Sequence, residues 1–523
     1  MFENYISTLK KFKTNQKTAF IATIIIGFAT HLYKFTNYLP NNDSVYNLYA
    51  KQDIIQSGRW FLAIPAGLSS DFDLPMITGI LSVLYIALAV IVLVSLFNIQ
   101  NKFVICIVSG ITVAYPSITA IFFYGYTSDA YMLALLFAVI AVYLARFGEK
   151  KIWKLALSAL LVCLTCAIYQ AFIQYYLILI IIYFVYYVFT SDISLKQAWL
   201  YIAKQIAIFT VGMGAYYFIW KIILHFSDYE AGSYLGLDSL KISISTIISG
   251  FCRGLKELLY FITESNLSRS KITFYCAANL LLIGTLCFAI LIAAIKSKLY
   301  KKVGLLLTVI GALLISLPCT VMWDMVGEKG IATSRTLICT SLFFVLTVLL
   351  IEYYFDIHIK NIFGVFAILV IFNYSVMANV GYFTLNRTAM SSVYKASKIM
   401  TTIHKYENEY DINRIAFIGE GSYEYPIINN DSVYRNRTNY YEKYRLLTFY
   451  GDLLFDNSHA YYYLTNYCGM DLEYVDRNDL LALQEEKQVQ ALAVWPSSDS
   501  FTVIDDILVV KLSDNTNYWW LDE

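Results

Sequence analysis

The sequence contains few charged residues for a chain of 523 residues. Asp, Glu, Lys and Arg supply only 15% of it, whereas 58% of the residues are hydrophobic and the mean hydropathy is +0.57. Soluble globular proteins carry about 25% charged residues, so this composition excludes that class. The formal net charge of +1 leaves no excess of cations, and we therefore expect no nucleic-acid partner. The lipid bilayer is the predicted solvent for most of the chain.

Cysteine is scarce in the polar part of the chain. Nine cysteines are present, but only Cys468 lies in the polar C-terminal region, so no disulfide framework is expected there. Cys163 and Cys166 have the spacing of a redox or zinc pair. Because both fall inside an apolar run, we interpret them instead as small residues that fill a helix interior.

Apolar runs close to the roughly 20 residues that cross the hydrocarbon recur along the first three quarters of the chain. They predict a polytopic α-helical membrane protein with about eleven transmembrane helices. The predicted spans are 18–34, 75–97, 103–121, 129–146, 154–170, 172–189, 205–225, 272–295, 303–320, 336–355 and 361–380. The first run ends in bulky residues without a small-residue cleavage site, so we expect a retained anchor rather than a cleaved signal.

Lysine and arginine are concentrated in one of two alternating sets of loops. Cytoplasmic loops retain positive charge, so the loops around 10–17, 146–154 and 296–302 are predicted to lie inside. The opposite loops carry most of the acidic residues and are predicted to face outward. An inside N-terminus and an odd number of spans then place the C-terminal tail outside the cytoplasmic membrane.

The sequence pattern changes near residue 381. Residues 1–380 contain the predicted spans and form the expected transmembrane domain, whereas residues 381–523 predict a small extracytoplasmic α/β domain. Its predicted strands are 414–419, 491–495 and 506–512, and its predicted helices are 390–408, 442–455 and 478–486.

Two long outer loops contain apolar residues at helical spacing. These segments, 43–55 and 240–262, predict amphipathic helices that lie flat on the outer membrane surface. Such helices would flank the path by which a lipid-linked substrate arrives.

Ionisable and aromatic side chains gather in three clusters at the predicted outer face. Because such groups cost free energy to desolvate at a membrane edge, the clusters are functional candidates. The first contains Asp43, Tyr46, Asp53, Arg59 and Trp60, the second Tyr126 and Asp129, and the third Trp323, Asp324, Lys329 and Arg335. Arg253, in the fourth outer loop, is a further candidate cation.

Each candidate also has a purely structural interpretation. Asp43 and Asp129 stand where helices are expected to begin, and Asp is a common N-cap. Asp53 can be a solvated group on the polar face of its segment. Arg59 and Arg335 can anchor the chain to lipid headgroups. The 45 tyrosines are typical of membrane-interface belts, with sugar stacking as the alternative role.

Carboxylates and cations on one face of a membrane suit transfer from a phosphate-linked donor to a hydroxyl acceptor. A carboxylate can accept the hydroxyl proton, while arginine neutralises the departing phosphate. The candidate catalytic residues are Asp43, Asp129 and Asp53. The candidate donor-phosphate residues are Arg335, Arg59, Lys329 and Arg253, and the candidate substrate-binding residues are Tyr46, Trp60, Tyr126 and Trp323. Nucleotide sugars are not normally supplied outside the cytoplasmic membrane, so we expect a lipid carrier for the donor.

Several short motifs resemble a known enzyme family. The motifs are Asn42-Asp43-Ser44, Ser57-Gly58-Arg59-Trp60, Tyr115-Pro116, Ser128-Asp129, the run from Trp495 to Asp499 and the run from Val509 to Leu512. Together they resemble the bacterial glucosyl transferases of the Gtr type II group, which modify O-antigens and other surface polysaccharides. The resemblance implies the GT-C architecture, a polyprenyl-phosphate sugar donor and an acidic base in the first outer loop. By position that base is Asp43, although a glutamate can stand in this loop of the family.

Two functional hypotheses follow. The first is a GT-C glycosyltransferase that adds glucose to a surface polymer such as teichoic acid, rhamnan or O-antigen, and the alternative is a lipid-linked sugar flippase or polysaccharide transporter. Transporters usually place charges near the bilayer midplane and repeat their halves, whereas this sequence has its charges at one face and no internal repeat. No cofactor is required by the first hypothesis, although Asp43 with Asp129 could hold Mg²⁺ or Mn²⁺ through water.

Overall fold

The computed structural model describes residues 14–227, 229, 243–263, 273–326, 334–419, 453–454 and 456–515. The chain divides into two compact units. Unit 1 takes in Met1–Thr36, Lys51–Phe122 and Thr127–Asn379, and unit 2 takes in Asn37–Ala50, Phe123–Tyr126 and Val380–Glu523.

Helices build unit 1; most are long and apolar, and the last of them continues past Asn379 into unit 2. They begin with α1 Thr14–Thr36, α2 Ala63–Ala66, α3 Pro75–Leu96, α4 Lys102–Ala114, α5 Pro116–Phe122, α6 Ser128–Leu144, α7 Ile152–Ile168 and α8 Phe172–Thr190. They continue with α9 Leu195–Phe226, α10 Ile244–Thr263, α11 Phe274–Lys296, α12 Val303–Thr320, α13 Met322–Val326, α14 Ser341–Tyr354 and α15 Ile357–Glu409. Across the described ranges, nine helices are long and apolar enough to cross a membrane, or ten when a bent pair is counted as one span. The chain is a polytopic helical membrane protein, as predicted.

Each predicted span coincides with one of these helices, although some differ in shape. The span predicted at 103–121 is α4 plus α5, which meet at 41° because Pro116 cannot continue the helical hydrogen-bond ladder. The span predicted at 154–170 is α7, which has only 17 residues. In contrast, α15 runs for 53 residues and passes through position 381, where the sequence predicts a change of domain.

The helices of unit 1 approach closely where small residues face a neighbour. A Cβ atom added to Gly79 of α3 would lie 2.2 Å from the Phe35 ring of α1. Close approach of this kind replaces the hydrophobic effect as the source of helix association inside lipid. In the same region the buried His31 ring donates from Nε2 to the Val113 carbonyl oxygen at 2.9 Å, which satisfies a polar group away from water.

The two predicted amphipathic helices have different outcomes. The second forms as α10, residues Ile244–Thr263. The first is wrong: residues 43–55 contain only parts of two short 3₁₀ turns, Asn42–Val45 and Ile55–Ser57. Side chains compete with the helix there, since the Asn47 amide donates to the Asp43 carbonyl oxygen at 2.7 Å.

Unit 2 contains a four-stranded sheet with helices on both faces. Its strands are β1 Arg414–Ile418, β2 Glu473–Tyr474, β3 Phe501–Ile504 and β4 Ile507–Lys511, in the order β2-β1-β4-β3. β1 runs parallel to β2 and β4, and β3 pairs antiparallel with β4. The further helices of the unit are α16 Asn457–Cys468, α17 Arg477–Glu485 and α18 Lys487–Gln490. The prediction of a small α/β region is confirmed.

Strand β1 supplies both faces of the unit 2 core, because successive side chains of a strand point to opposite sides. Ile415 and Phe417 pack with apolar residues of α15 and α16. Ala416 and Ile418 pack on the other side with Leu480 of α17. A strand that is buried on both faces consists of consecutive apolar residues. This pattern explains why β1 could be predicted from the sequence.

Three predictions within unit 2 need separate outcomes. The strand predicted at 491–495 is wrong, because Ala491 continues from α18 in a helical conformation and Pro496 has no N–H for a ladder. The hairpin strand β3 lies instead at Phe501–Ile504. The helix predicted at 478–486 is confirmed as α17, whereas that predicted at 442–455 lies largely outside the described residues.

Candidate functional site

The Ser57-Gly58-Arg59 motif forms a tight turn in unit 1. Gly58 has φ of 79°, a left-handed conformation that side chains other than hydrogen rarely allow. The Gln170 amide donates to the Ser57 carbonyl oxygen at 2.6 Å, and the Trp220 ring N–H donates to the Ile55 carbonyl oxygen at 2.8 Å. Side chains from distant parts of the sequence therefore fix the backbone that presents Arg59.

Arg59 lies beside Tyr131 of α6. Arg59 Nη1 donates to the Tyr131 hydroxyl at 3.4 Å, and its guanidinium carbon lies 4.8 Å from the centre of the Tyr169 ring. Tyr131 and Tyr169 stack with centroids 4.4 Å apart. The charge of Arg335 also acts on Tyr131. Arg59 thus lies beside a pair of stacked aromatic rings, and the charge of Arg335 acts on one ring of that pair.

Asp129 lies two residues before Tyr131, in the first turn of α6. The side chain is fully buried, and its Oδ1 accepts the Ala130 N–H at 2.9 Å. Its Oδ2 has no hydrogen-bond partner among the described residues. The N-cap residue of α6, Thr127, makes no side-chain cap hydrogen bond, so Oδ1 of Asp129 satisfies a first-turn N–H of the helix, a role that Oδ2 does not share. A buried carboxylate with an unsatisfied oxygen costs free energy and is the kind of group that a binding site retains.

Two buried ionisable residues of unit 1 do not appear among the sequence candidates. Lys34, near the end of α1, is 3% exposed, and Asp73, in the loop before α3, is 6% exposed. The charge of Asp73 acts on Lys34. The sequence feature that could have identified Lys34 is its place in the last turn of a predicted span, since ionisable residues inside apolar segments are usually functional.

Asp43 belongs to unit 2 and lies in the 3₁₀ turn Asn42–Val45. This turn is capped by Asn41, whose side-chain oxygen accepts the Ser44 N–H at 2.9 Å, while Ser44 Oγ accepts the Asn41 N–H at 3.1 Å. The cap is therefore supplied by Asn41 rather than by Asp43, whose side chain is half-buried.

Tyr46 connects this turn to α16. Its hydroxyl shares a hydrogen bond of 2.8 Å with Ser458 Oγ, and its ring contacts His459 at 4.9 Å and Tyr462 at 5.0 Å between centroids. Burial, together with the nearby carboxylates of Asp456 and Asp43, raises the pKa of Tyr46 well above its usual value. Tyr46 is therefore a neutral hydrogen-bonding group placed between two acids.

Asp456 and His459 are joined by hydrogen bonds at the start of α16, and the sequence candidates include neither residue. Asp456 Oδ1 accepts from the His459 backbone N–H and from its Nδ1, both at 2.8 Å. Burial raises the pKa of Asp456, but the hydrogen bonds and charge of His459 outweigh it, so the pKa lies below its usual value. The only sequence feature that could have pointed to these two residues is the position of Asp456 at an expected helix N-cap, three residues before His459.

The remaining cationic and acidic candidates have separate positions. Asp53 is exposed and accepts a hydrogen bond from the Tyr229 hydroxyl at 3.2 Å. Arg253 of α10 is paired with Asp324, with Nε 3.9 Å from Oδ1 and Nη2 donating to the Asp324 carbonyl oxygen at 2.8 Å. Lys329 lies outside the described residues.

The aromatic candidates other than Tyr46 are half-buried. Tyr126 is in contact with Tyr124, with ring centroids 6.3 Å apart. Trp60 and Trp323 lie in unit 1, and the ring N–H of each has no hydrogen-bond partner within the described part of the chain. An unsatisfied indole N–H is available to a polar ligand.

No metal centre is formed by the side chains in the described ranges, since nowhere among them do three or more His, Cys, Asp or Glu converge in a suitable arrangement. The proposed Mg²⁺ pair, Asp43 and Asp129, falls in two different units and stays a prediction. Cys163 and Cys166 are free and buried in α7, in keeping with their interpretation as filling residues.

Replacing Gly58 by Ala is expected to destabilise the protein by about 1–3 kcal/mol, the usual cost of a strained backbone. The added Cβ would lie 2.3 Å from the Tyr216 hydroxyl oxygen, so the double variant Gly58→Ala with Tyr216→Phe should recover part of the loss. Thermal unfolding of the purified protein measures both. Gly214→Ala is the matched control, because its Cβ would meet nothing within 4 Å. Equal melting temperatures for wild type and Gly58→Ala would contradict the strain argument.

Comparison with known proteins places this geometry in a family. The family description Glucosyl transferase GtrII matches residues 32–346, which is more than half of the chain and includes Asp43, Arg59, Asp129 and Arg335. No curated protein matches the sequence, and no solved structure matches it. The resemblance noted from the motifs is confirmed, and the chain belongs to the GtrII family of glucosyl transferases.

Proposed function

We propose that this protein is a GT-C glycosyltransferase that moves glucose from a polyprenyl-phosphate carrier to a hydroxyl of a surface polysaccharide or teichoic acid. The observation that carries the proposal is the position of Arg59, whose guanidinium lies beside the stacked rings of Tyr131 and Tyr169. Membership of a glucosyl transferase family defines the transferred group. The two arginines supply what a phosphate-linked donor requires.

The arginine pair suits a phosphodiester at the depth of a lipid headgroup. Arg335 and Arg59 are half-buried, which lowers the local dielectric and strengthens a charge-assisted hydrogen bond to phosphate. Guanidinium is also less strongly hydrated than ammonium and binds two phosphate oxygens at once. The ring N–H groups of Trp60 and Trp323 are further donors for sugar hydroxyls in the same unit.

The reaction we propose is a single displacement with inversion. Asp43 accepts the proton of the acceptor hydroxyl while that oxygen forms a bond to the anomeric carbon of glucose. The bond from the anomeric carbon to the phosphate oxygen breaks, and polyprenyl phosphate leaves with its electron pair. Arginine neutralises the developing charge, so no acid is required to protonate the leaving group. Asp129, which lies in the same unit as the arginines, is the second candidate for the base, and the exposed Asp53 is the third.

The direct test is transfer of radiolabelled glucose from polyprenyl-phosphate glucose to polysaccharide, using the purified protein in lipid. We expect label in the polymer and stoichiometric release of polyprenyl phosphate. A flippase would move the donor across the bilayer of a proteoliposome without consuming it. Movement of intact donor with no polymer labelling would replace the enzyme by the transporter hypothesis.

We further propose that the catalytic face is outside the cytoplasmic membrane of a bacterium, on the basis of the alternating basic loops. In a variant that retains only the exposed Cys468, a membrane-impermeant maleimide should label intact cells. A variant with Lys150→Cys as its only cysteine should react only after the cells are opened. The reverse pattern would invert the proposed orientation.

A further inference from the structure

Three tyrosines of unit 2, Tyr461, Tyr462 and Tyr474, form a continuous aromatic surface, here called the tyrosine shelf. We infer that the tyrosine shelf binds the uncharged sugar chain of the acceptor and brings its hydroxyls to Asp43. The inference deepens the proposed function and rests on it for the role of Asp43.

The geometry of the shelf differs from that of core packing. Tyr462 and Tyr474 lie 6.3 Å apart between ring centroids with their planes within 30°. Tyr461 contacts both, at 5.3 Å and 5.0 Å. Yet Tyr462 is 39% exposed and Tyr474 is 38% exposed. Ordered rings that remain accessible to water provide a surface for a ligand rather than for the interior.

A sugar chain fits this surface better than a purely apolar ligand does. Pyranose rings present a face of C–H groups that packs on an aromatic ring, and hydroxyls at their edges that need hydrogen bonds. Tyrosine supplies both an apolar ring and a polar tip. Beside the rings, Ser458 and the Asp456–His459 pair provide hydroxyl, carboxylate and imidazole groups.

The shelf continues to the proposed base. Tyr46 contacts Tyr462 with ring centroids 5.0 Å apart, and the charge of Asp43 acts on Tyr46. Tyr46 also shares a hydrogen bond with Ser458. A sugar unit stacked on Tyr462 therefore lies beside the ring of Tyr46, whose backbone N–H donates to the Asp43 carbonyl oxygen at 3.3 Å. The following unit of the chain can then present a hydroxyl to Asp43.

The carboxylates near the tyrosine shelf distinguish between neutral and anionic acceptors. The carboxylates of Asp456 and Asp43 act on Tyr46, and the carboxylate of Asp456 acts on Tyr474. A chain of phosphodiesters would be repelled by these carboxylates, whereas a neutral glycan would not. The surface thus favours a neutral polysaccharide over a polyanionic teichoic acid.

The test uses wall polysaccharide extracted from cells that lack this enzyme, separated by anion exchange into a neutral and an anionic fraction. Binding of each fraction to the purified full-length protein is measured directly. We expect the neutral fraction to bind and the double variant Tyr462→Ala with Tyr474→Ala to bind it about 10-fold more weakly, since each aromatic contact contributes roughly half of one decade. Tyr394→Ala, at a tyrosine that is 60% exposed on α15, should bind as wild type does.

Several results would overturn the inference. They are binding of the anionic fraction alone, binding of neither fraction, and unchanged binding by the double variant. A change in oligomeric state of the double variant with unchanged polysaccharide binding would assign the shelf to a second copy of this chain. Normal binding without glucosyl transfer would refute the proposed function and leave the shelf standing, because the binding measurement does not depend on the reaction.

Discussion

Replacing Asp43 by Asn is expected to lower glucosyl transfer by roughly 10²- to 10⁴-fold, the usual contribution of a positioned proton acceptor. Asn has nearly the same shape but cannot accept the hydroxyl proton. The fold should be unaffected, because the turn that carries Asp43 is capped by Asn41. Turnover is measured with polyprenyl-phosphate glucose at saturating acceptor, alongside the melting temperature and the yield of protein.

Two further variants serve as a control and a comparison for the Asp43→Asn measurement. Asp471→Asn removes an exposed carboxylate of the same unit and should retain wild-type turnover. Asp129→Asn should cause a loss similar to or smaller than that of Asp43→Asn if Asp129 orients a substrate. Wild-type turnover in a well-expressed Asp43→Asn protein would show that Asp43 is not the catalytic base. Asp129 or Asp53 would then be the next candidate for that role.

Arg335→Lys should raise the KM for the lipid-linked donor by at least about tenfold while the charge is conserved. Loss of one charge-assisted hydrogen bond costs roughly 1.5–3 kcal/mol, and lysine cannot reproduce the planar fork that binds two phosphate oxygens. Arg59→Lys should act in the same direction, since Arg59 is also half-buried in unit 1 and is the second candidate for the donor phosphate. Initial rates at varied donor concentration separate KM from kcat.

Arg146→Lys is the matched control, because Arg146 also lies over a tyrosine ring, 4.4 Å from the centre of Tyr143. It is in a loop that we predict to face the cytoplasm, so its replacement should leave the donor KM unchanged. An unaltered donor KM in both Arg335→Lys and Arg59→Lys would show that the phosphate binds elsewhere, and Arg253 would then be the next arginine to test.

Most of the fold could be predicted because each span is a local property of the sequence. Twenty apolar residues without charge have few alternatives to a helix in lipid, and a strand such as β1 has an unbroken apolar run. The amphipathic helix at 43–55 failed for a local reason as well. Asn and Ser side chains there bind the backbone, and a helix of this length is marginal without tertiary packing.

The site was only partly predictable, because it depends on contacts between distant residues. The sequence identified Arg59 and Arg335 as candidates, but not that Arg59 would lie beside the stacked rings of Tyr131 and Tyr169. Lys34 and Asp73 were missed because each resembles an ordinary residue at a membrane edge until the other lies beside it. Asp456 and His459 were missed because an N-cap spacing is common, and only the fold brings Tyr46 against it.

The length of α9 links the turn formed by Ser57, Gly58 and Arg59 to the thickness of the membrane. Its 32 residues extend about 48 Å at 1.5 Å per residue, whereas the hydrocarbon layer is about 30 Å thick. The helix must either tilt in the membrane or extend beyond the hydrocarbon layer. The thickness of the surrounding lipid affects how far it does so. Trp220, on α9, holds the backbone of the Ser57–Arg59 turn, and Tyr216 lies against Gly58. A change in the acyl-chain length of the host membrane would therefore act on the helix that contacts the backbone before Arg59.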